Sequence, residues 1–150
     1  MAWSPPEAPQ YKINYDAATF AEDNNASLGV VIRNNEGPVM ASLTQQIPLL
    51  ATVIEIKALV ARRVMEFALE IGLDNIVLEG NNEYLFKALK SGDRSLAQHR
   101  HLTKDILFLG SNISAFNVSF VRRQCNKLAY SLTRKAKFLP YILSLWKMYH

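Results

Sequence analysis

The nine residues VLEGNNEYL, Val77 to Leu85, change character halfway. Val77, Leu78 and the residues just before them (Asn75 to Glu79, NIVLE) form a short, almost wholly apolar run. Such a run reads as a strand buried on both faces in a parallel pairing. From Glu83 onward the pattern suits a helix, over about Glu83 to Lys90. Asn81 or Asn82 can cap it, since an asparagine oxygen readily accepts from the amides of a first turn. Strand-to-helix junctions of this kind often carry a catalytic carboxylate at the strand tip. Here the tip carries the amide Asn81, with Glu79 two residues before it and on the same strand face.

The elements on either side follow from periodicity. Tyr11, Ile13 and Tyr15 alternate with Lys12, Asn14 and Asp16, which predicts a first strand ending at Asp16. After the polar gap AEDNNAS, Leu28 to Arg33 (LGVVIR) reads as a second strand. Asn34-Asn35-Glu36-Gly37 reads as a hairpin turn, and Val39 to Ile47 as a third strand. Pro48 stops this meander. From about Thr52 to Ile71, Ile54, Ala58, Ala61, Met65 and Ala68 recur at helical steps, and Gly72 ends the helix. Further on come a helix over about His99 to Gly110, a strand over Asn117 to Val121, and a helix over about Asn126 to Phe138. The order βββ-α-β-α-α-β-α implies an α/β fold. Its five-stranded mixed sheet has three antiparallel strands, then parallel ones, with helices packed on it.

At 150 residues the chain is long enough for one compact domain. Residues 1–10 hold three of the six prolines and read as a proline-rich lead-in. The domain proper is expected over 11–138, followed by an apolar tail over 139–150. That tail is expected to pack back on the domain or to present a patch to a partner. Lys and Arg outnumber Asp and Glu by 17 to 13, a net charge of +4, which permits nucleic-acid binding without requiring it. The single cysteine, Cys125, excludes an internal disulfide and a cysteine metal cage, and fits a reducing intracellular compartment. The start lacks the basic-then-apolar pattern of a secretory signal. No apolar run approaches the roughly 20 residues that span a bilayer. A monomer without membrane association is expected.

Three positions draw attention as chemistry. Asp16 sits in a strand, where aspartate is uncommon, and an exposed strand-end role would also account for it. Glu55 lies in the first turn of the long helix, where a carboxylate also suits the helix dipole. Asn81 has its capping alternative. If strands one and four are neighbours, the three converge at one sheet edge. Clustered oxygen ligands at strand ends suit Mg²⁺, and two such ions can drive phosphodiester hydrolysis.

With these residues assembled, the chain resembles the ribonuclease H-like domains of the reverse-transcriptase-associated type, abundant in plant genomes and often retroelement-derived. The resemblance rests on WSPP followed by YKINYDAA, on LGVVIRNNEG, EIKAL and VLEGNNEYL, and on the closing FVRRQCNKLAYSLTRKA. These run in order over nearly the whole chain. It implies helices on both faces of the sheet. It also implies hydrolysis of the RNA strand of an RNA–DNA hybrid at four positions using Mg²⁺ or Mn²⁺. Carried over, those positions are Asp16, the ligand shared between two ions, then Glu55, Asn81 and Tyr130. Asn126 and Ala129 of the closing motif set the last assignment.

Two of the four depart from the family pattern. Asn81 stands where aspartate is usual, and Tyr130 where aspartate or histidine is usual. An amide offers one neutral oxygen, and tyrosine ordinarily carries no charge at neutral pH. Weak or absent cleavage is therefore expected. Glu79 and Glu83 are the alternative donors that can reach a metal, so the metal candidates are Asp16, Glu55 and Glu79. Phosphate contacts are expected from Arg122, Arg123 and Lys127 beside the closing motif. Arg100 is expected to add another, in a basic group with Arg94, His99, His101 and Lys104. Arg134, Lys135 and Lys137 read as a solvated face. The expected partner is nucleic acid, an RNA–DNA hybrid or double-stranded RNA. The competing reading is a non-catalytic structural or protein-interaction domain.

Overall fold

The computed structural model describes residues 3–20, 22, 24–49, 52–91, 100–135 and 141–144. Three antiparallel strands open the chain: β1 (Tyr11–Phe20), β2 (Asn25–Arg33) and β3 (Val39–Pro48). Then come α1 (Val53–Glu70), β4 (Asn75–Gly80), α2 (Glu83–Ser91), α3 (Arg100–Ser111) and β5 (Ala115–Phe120). A 3-10 turn at Arg123–Cys125 leads into α4 (Lys127–Lys135), and β6 (Tyr141–Ser144) closes the series. The sheet order is β5-β4-β1-β2-β3-β6. β4 pairs in parallel with both β1 and β5, as its apolar run implied. Among the described residues, no helix is long and apolar enough to cross a membrane.

Two features differ from the sequence reading, each for a physical reason. β1 does not end at Asp16. It pairs with β2 from Lys12↔Arg33 to Phe20↔Asn25, because the hairpin partner keeps supplying backbone hydrogen bonds beyond it. On the other edge, β1 pairs with β4 only as far as Asn14↔Glu79. Asp16 is therefore mid-strand in β1 yet lies two residues beyond the last β1–β4 pair, beside the tip of β4. The second is β6, from the segment expected to be a tail. It pairs antiparallel with β3 from Ser42↔Ser144 to Gln45↔Tyr141. This makes a sixth strand and covers backbone groups that an edge strand would otherwise expose. The rest of that expected tail, and the expected helical residues 136–138, lie outside the described residues.

Alternation along the strands divides the two faces. Ile13, Tyr15, Leu28, Val30 and Ile32 are buried against Ile56, Val60, Ala61, Val64, Met65 and Ala68 of α1. Leu85 and Leu89 of α2 and Leu102 and Ile106 of α3 complete this main core. The opposite face is covered by α4 and is more polar: Ser27 Oγ donates to the Thr133 carbonyl at 2.6 Å. Here the backbones meet closely. A Cβ on Gly29, the residue paired with Asp16, would stand 2.3 Å from the Ala129 carbonyl oxygen. Gly29→Ala is expected to lift α4 and to destabilise the domain by about 1–3 kcal/mol. An unchanged midpoint in urea unfolding would show that α4 does not lie this close to the sheet.

Candidate active site at the tips of β1 and β4

Asp16 is buried, with 4% of its surface exposed. Its Oδ1 accepts from the Ala17 backbone amide at 2.8 Å and lies 3.6 Å from the Lys57 ammonium. The same ammonium donates to Asn81 Oδ1 at 3.3 Å. Lys57 thus links β1, α1 and the end of β4. Burial pushes the Asp16 carboxyl above the ordinary aspartate range, while Lys57, the Ala17 amide and the nearby Arg123 guanidinium pull it back.

The junction that carries Asn81 resolves the question of the cap. Asn82, not Asn81, caps α2: its Oδ1 accepts from the Leu85 amide at 2.8 Å, and its carbonyl accepts from Phe86. The side chain of Asn81 faces Lys57 instead. Glu55 lies in the first turn of α1, where the Thr52 hydroxyl accepts from its backbone amide. It lies two residues before Lys57 in the same turn of α1. Tyr130 lies on α4, its amide bonded to the Asn126 carbonyl and its side chain 38% exposed.

Glu79 does not stand with Asp16 and Lys57. It is 1% exposed, and both of its oxygens are engaged. Oε1 accepts from Asn14 Nδ2 at 2.9 Å, and Oε2 accepts from Ser119 Oγ at 2.9 Å and pairs with Lys12 at 3.2 Å. Asn14 also donates to Asn126 Oδ1 and accepts from the Trp3 indole at 2.8 Å. Asn126 in turn donates to the Tyr15 carbonyl at 2.9 Å. This buried network fixes β4 and the start of α4 to β1 just before Asp16. The proline-rich lead-in is drawn into it. The Trp3 ring lies under the Arg33 guanidinium at 3.7 Å, and the Ser4 carbonyl accepts from Lys12.

Of the basic candidates, Arg122, Arg123 and Lys127 are all exposed, and the charge of Arg123 acts on Asp16. Arg100 opens α3, but its side chain, like Arg94 and His99, falls outside the described residues. Among the described residues, no group of three or more His, Cys, Asp or Glu side chains is placed to hold a metal. Reading the sequence missed Lys57, Asn14 and the Trp3 contact. An asparagine within a strand, where that residue is uncommon, was the one signal present for Asn14. Lysine on an amphipathic helix reads by default as solvent-facing.

The fold is that of a ribonuclease H-like domain. The structure superposes on RNase H1 from the halophilic archaeon Halobacterium salinarum with a TM-score of 0.76 at 22% identity, covering 86% of this chain and 98% of that one. The N-terminal RNase H domain of a Mycobacterium tuberculosis protein gives 0.72 at 18% identity over 85% and 92%. LC11-RNase H1, solved in complex with an RNA/DNA hybrid, gives 0.72 at 16% over 83% and 94%. By sequence, residues 14–136 match the reverse transcriptase-like family, and the chain belongs to that family. Among curated proteins, none matches the chain in sequence.

The engaged oxygens of Glu79 give it a structural role that a substitution can measure. Glu79→Ala removes one acceptor each from Lys12, Asn14 and Ser119, and loss of one partner from a buried ion pair costs about 3–5 kcal/mol. Thermal and urea unfolding are expected to show a loss of that order. A loss under about 1 kcal/mol, the range of an exposed pair, would remove Glu79 from the structural network.

Proposed function

We propose that the chain is a ribonuclease H-type nucleic-acid-binding domain that holds an RNA–DNA hybrid or double-stranded RNA and cleaves it weakly or not at all. The observation that carries this reading is the constellation at the strand tips, where the Lys57 ammonium pairs with the Asp16 carboxylate and donates to Asn81. A hydrolytic centre with two Mg²⁺ ions needs several charged oxygen ligands held in a fixed arrangement. Asp16 and Glu55 supply two carboxylates, Asn81 a neutral amide and Tyr130 a half-exposed phenol. Glu79 is engaged elsewhere. These donors do not fit a two-ion centre.

The binding half of the reading is supported by Arg122, Arg123 and Lys127 around the entry to α4. The charge of Arg123 acts on the Asp16 carboxyl. Guanidinium groups suit phosphate oxygens, and each phosphate neutralised releases counterions. One solved relative in fold carries an RNA/DNA hybrid, and the foamy viral protease–reverse transcriptase, similar at a TM-score of 0.62, was solved with double-stranded DNA. A purely structural or protein-interaction role remains the competing outcome of the test.

Fluorescence anisotropy with a labelled hybrid is expected to show salt-dependent binding. Arg122→Ala with Arg123→Ala is expected to weaken it and to lower the slope of log affinity against log salt by about 2. In Mg²⁺ or Mn²⁺ the unaltered domain is expected to leave the hybrid intact, whereas Asn81→Asp with Tyr130→Asp gains cleavage. Cleavage by the unaltered domain that disappears in Asp16→Asn would overturn the non-cleaving half. Absence of hybrid or duplex-RNA binding at low salt would overturn the binding half in favour of a protein-interaction role.

A further inference from the structure

The geometry points to Lys57 as the resident cation of this site. Its ammonium neutralises Asp16 and stands between the strand tips where a divalent ion would have to bind. The inference deepens the non-cleaving reading above and rests on it. It goes further by stating what occupies the site and what that does to metal dependence.

Position carries it first. Nζ of Lys57 is 3.6 Å from Asp16 Oδ1 and 3.3 Å from Asn81 Oδ1, so one ammonium joins the carboxylate of β1 to the amide beyond β4. Burial carries it next. The Lys57 side chain is 15% exposed and that of Asp16 4%, so the pair is shielded from the water and salt that weaken surface ion pairs. The chemistry of the partners is the last support. Asp16 and Lys57 balance one charge with one, and Asn81 adds a neutral oxygen that an ammonium accepts without creating a charge excess. Asn81 is available for this because Asn82 caps the helix. A divalent ion approaching Asp16 would meet an ammonium about one contact distance away, and the charge of Arg123 also acts on Asp16. It would be repelled by both unless Lys57 swung aside and left its own charge without a partner.

Lys57 thereby makes the site independent of divalent ions. Hybrid binding by the unaltered domain is expected to be the same in EDTA and in Mg²⁺ at matched ionic strength.

Mn²⁺ titration, followed by the electron paramagnetic resonance of the free ion, tests the inference without nucleic acid. The proteins are the unaltered domain, Lys57→Gln, Asp16→Asn and the double variant, each checked for folding by circular dichroism. The unaltered domain and Asp16→Asn are expected to bind Mn²⁺ equally poorly. Lys57→Gln is expected to gain one saturable site at least about tenfold tighter, and the double variant to lose it. Binding by the unaltered domain as tight as that of Lys57→Gln would overturn the inference, as would a Lys57→Gln protein that gains no site.

Should Lys57→Gln not fold, the unaltered domain still decides. Mn²⁺ is expected to leave the backbone amide signals of Asp16 and Asn81 sharp in nuclear magnetic resonance spectra, and their selective broadening would overturn the inference. The two readings fail separately. A domain that binds neither hybrid nor Mn²⁺ refutes nucleic-acid binding and leaves Lys57 as resident cation, whereas one that binds hybrid and takes up Mn²⁺ at Asp16 does the reverse.

Discussion

The side chain of Asn14 is the point on which three distant parts of the chain meet. It is fully buried, and its amide donates to Glu79 on β4 and to Asn126 before α4 while its carbonyl accepts from Trp3. A buried amide with every polar atom engaged is stable, whereas one with a missing partner carries the whole cost of desolvation. The network is therefore selective: β4, α4 and the lead-in must all be seated for Asn14 to be satisfied. It also explains why the α4 face of the sheet tolerates so many polar residues. Ser27, Asn126 and Thr133 are buried there with hydrogen bonds.

Asp16 inherits its position from this arrangement. It lies two residues beyond Asn14 on the same strand face, just where β4 stops pairing with β1. Lys57 of α1 reaches across to it and to Asn81 just beyond the tip of β4. A buried carboxylate needs positive charge nearby, and Lys57 and Arg123 supply it from two elements that the main core and the Asn14 network hold in place.

Much of the framework was legible from local patterns. Alternation gave β1 to β3, the apolar run gave β4 its place between two parallel neighbours, and Ala58, Ala61, Met65 and Ala68 form the buried stripe of α1 as their spacing implied. Relations between distant residues were not legible. Asn14 meets partners 65 and 112 positions away, and no local period announces either. The capping choice at the β4–α2 junction was open because Asn81 and Asn82 are chemically equal candidates, and only the direction of the chain after Gly80 separates them. Lys57 was invisible for a different reason. A lysine one residue from buried Ile56 and Ala58 reads as part of a wet helix face until the strand tips are known to lie above it. The sixth strand escaped because an apolar, aromatic tail suits an edge strand and a packed coil equally well.

The groups that hold the fold and the groups at the candidate site are largely separate. Glu79, Asn14, Asn126, Ser119 and Lys12 form a closed set of contacts beneath the strand tips, and none of those contacts runs through Asn81, Glu55 or Tyr130. Tyr130 is half-exposed on α4, and Asn81 contributes one bond to a lysine, so neither position constrains the core. Asp16 differs, since it is buried and charged and would cost several kcal/mol without a countercharge. A chain that keeps Asp16 therefore needs a cation beside it whether or not it performs chemistry. A lysine on the adjacent turn of α1 meets that need permanently, without drawing on ions from solution. On this argument the ribonuclease H-like scaffold can persist when hydrolysis does not, provided the carboxylate on β1 and the ammonium on α1 are kept together.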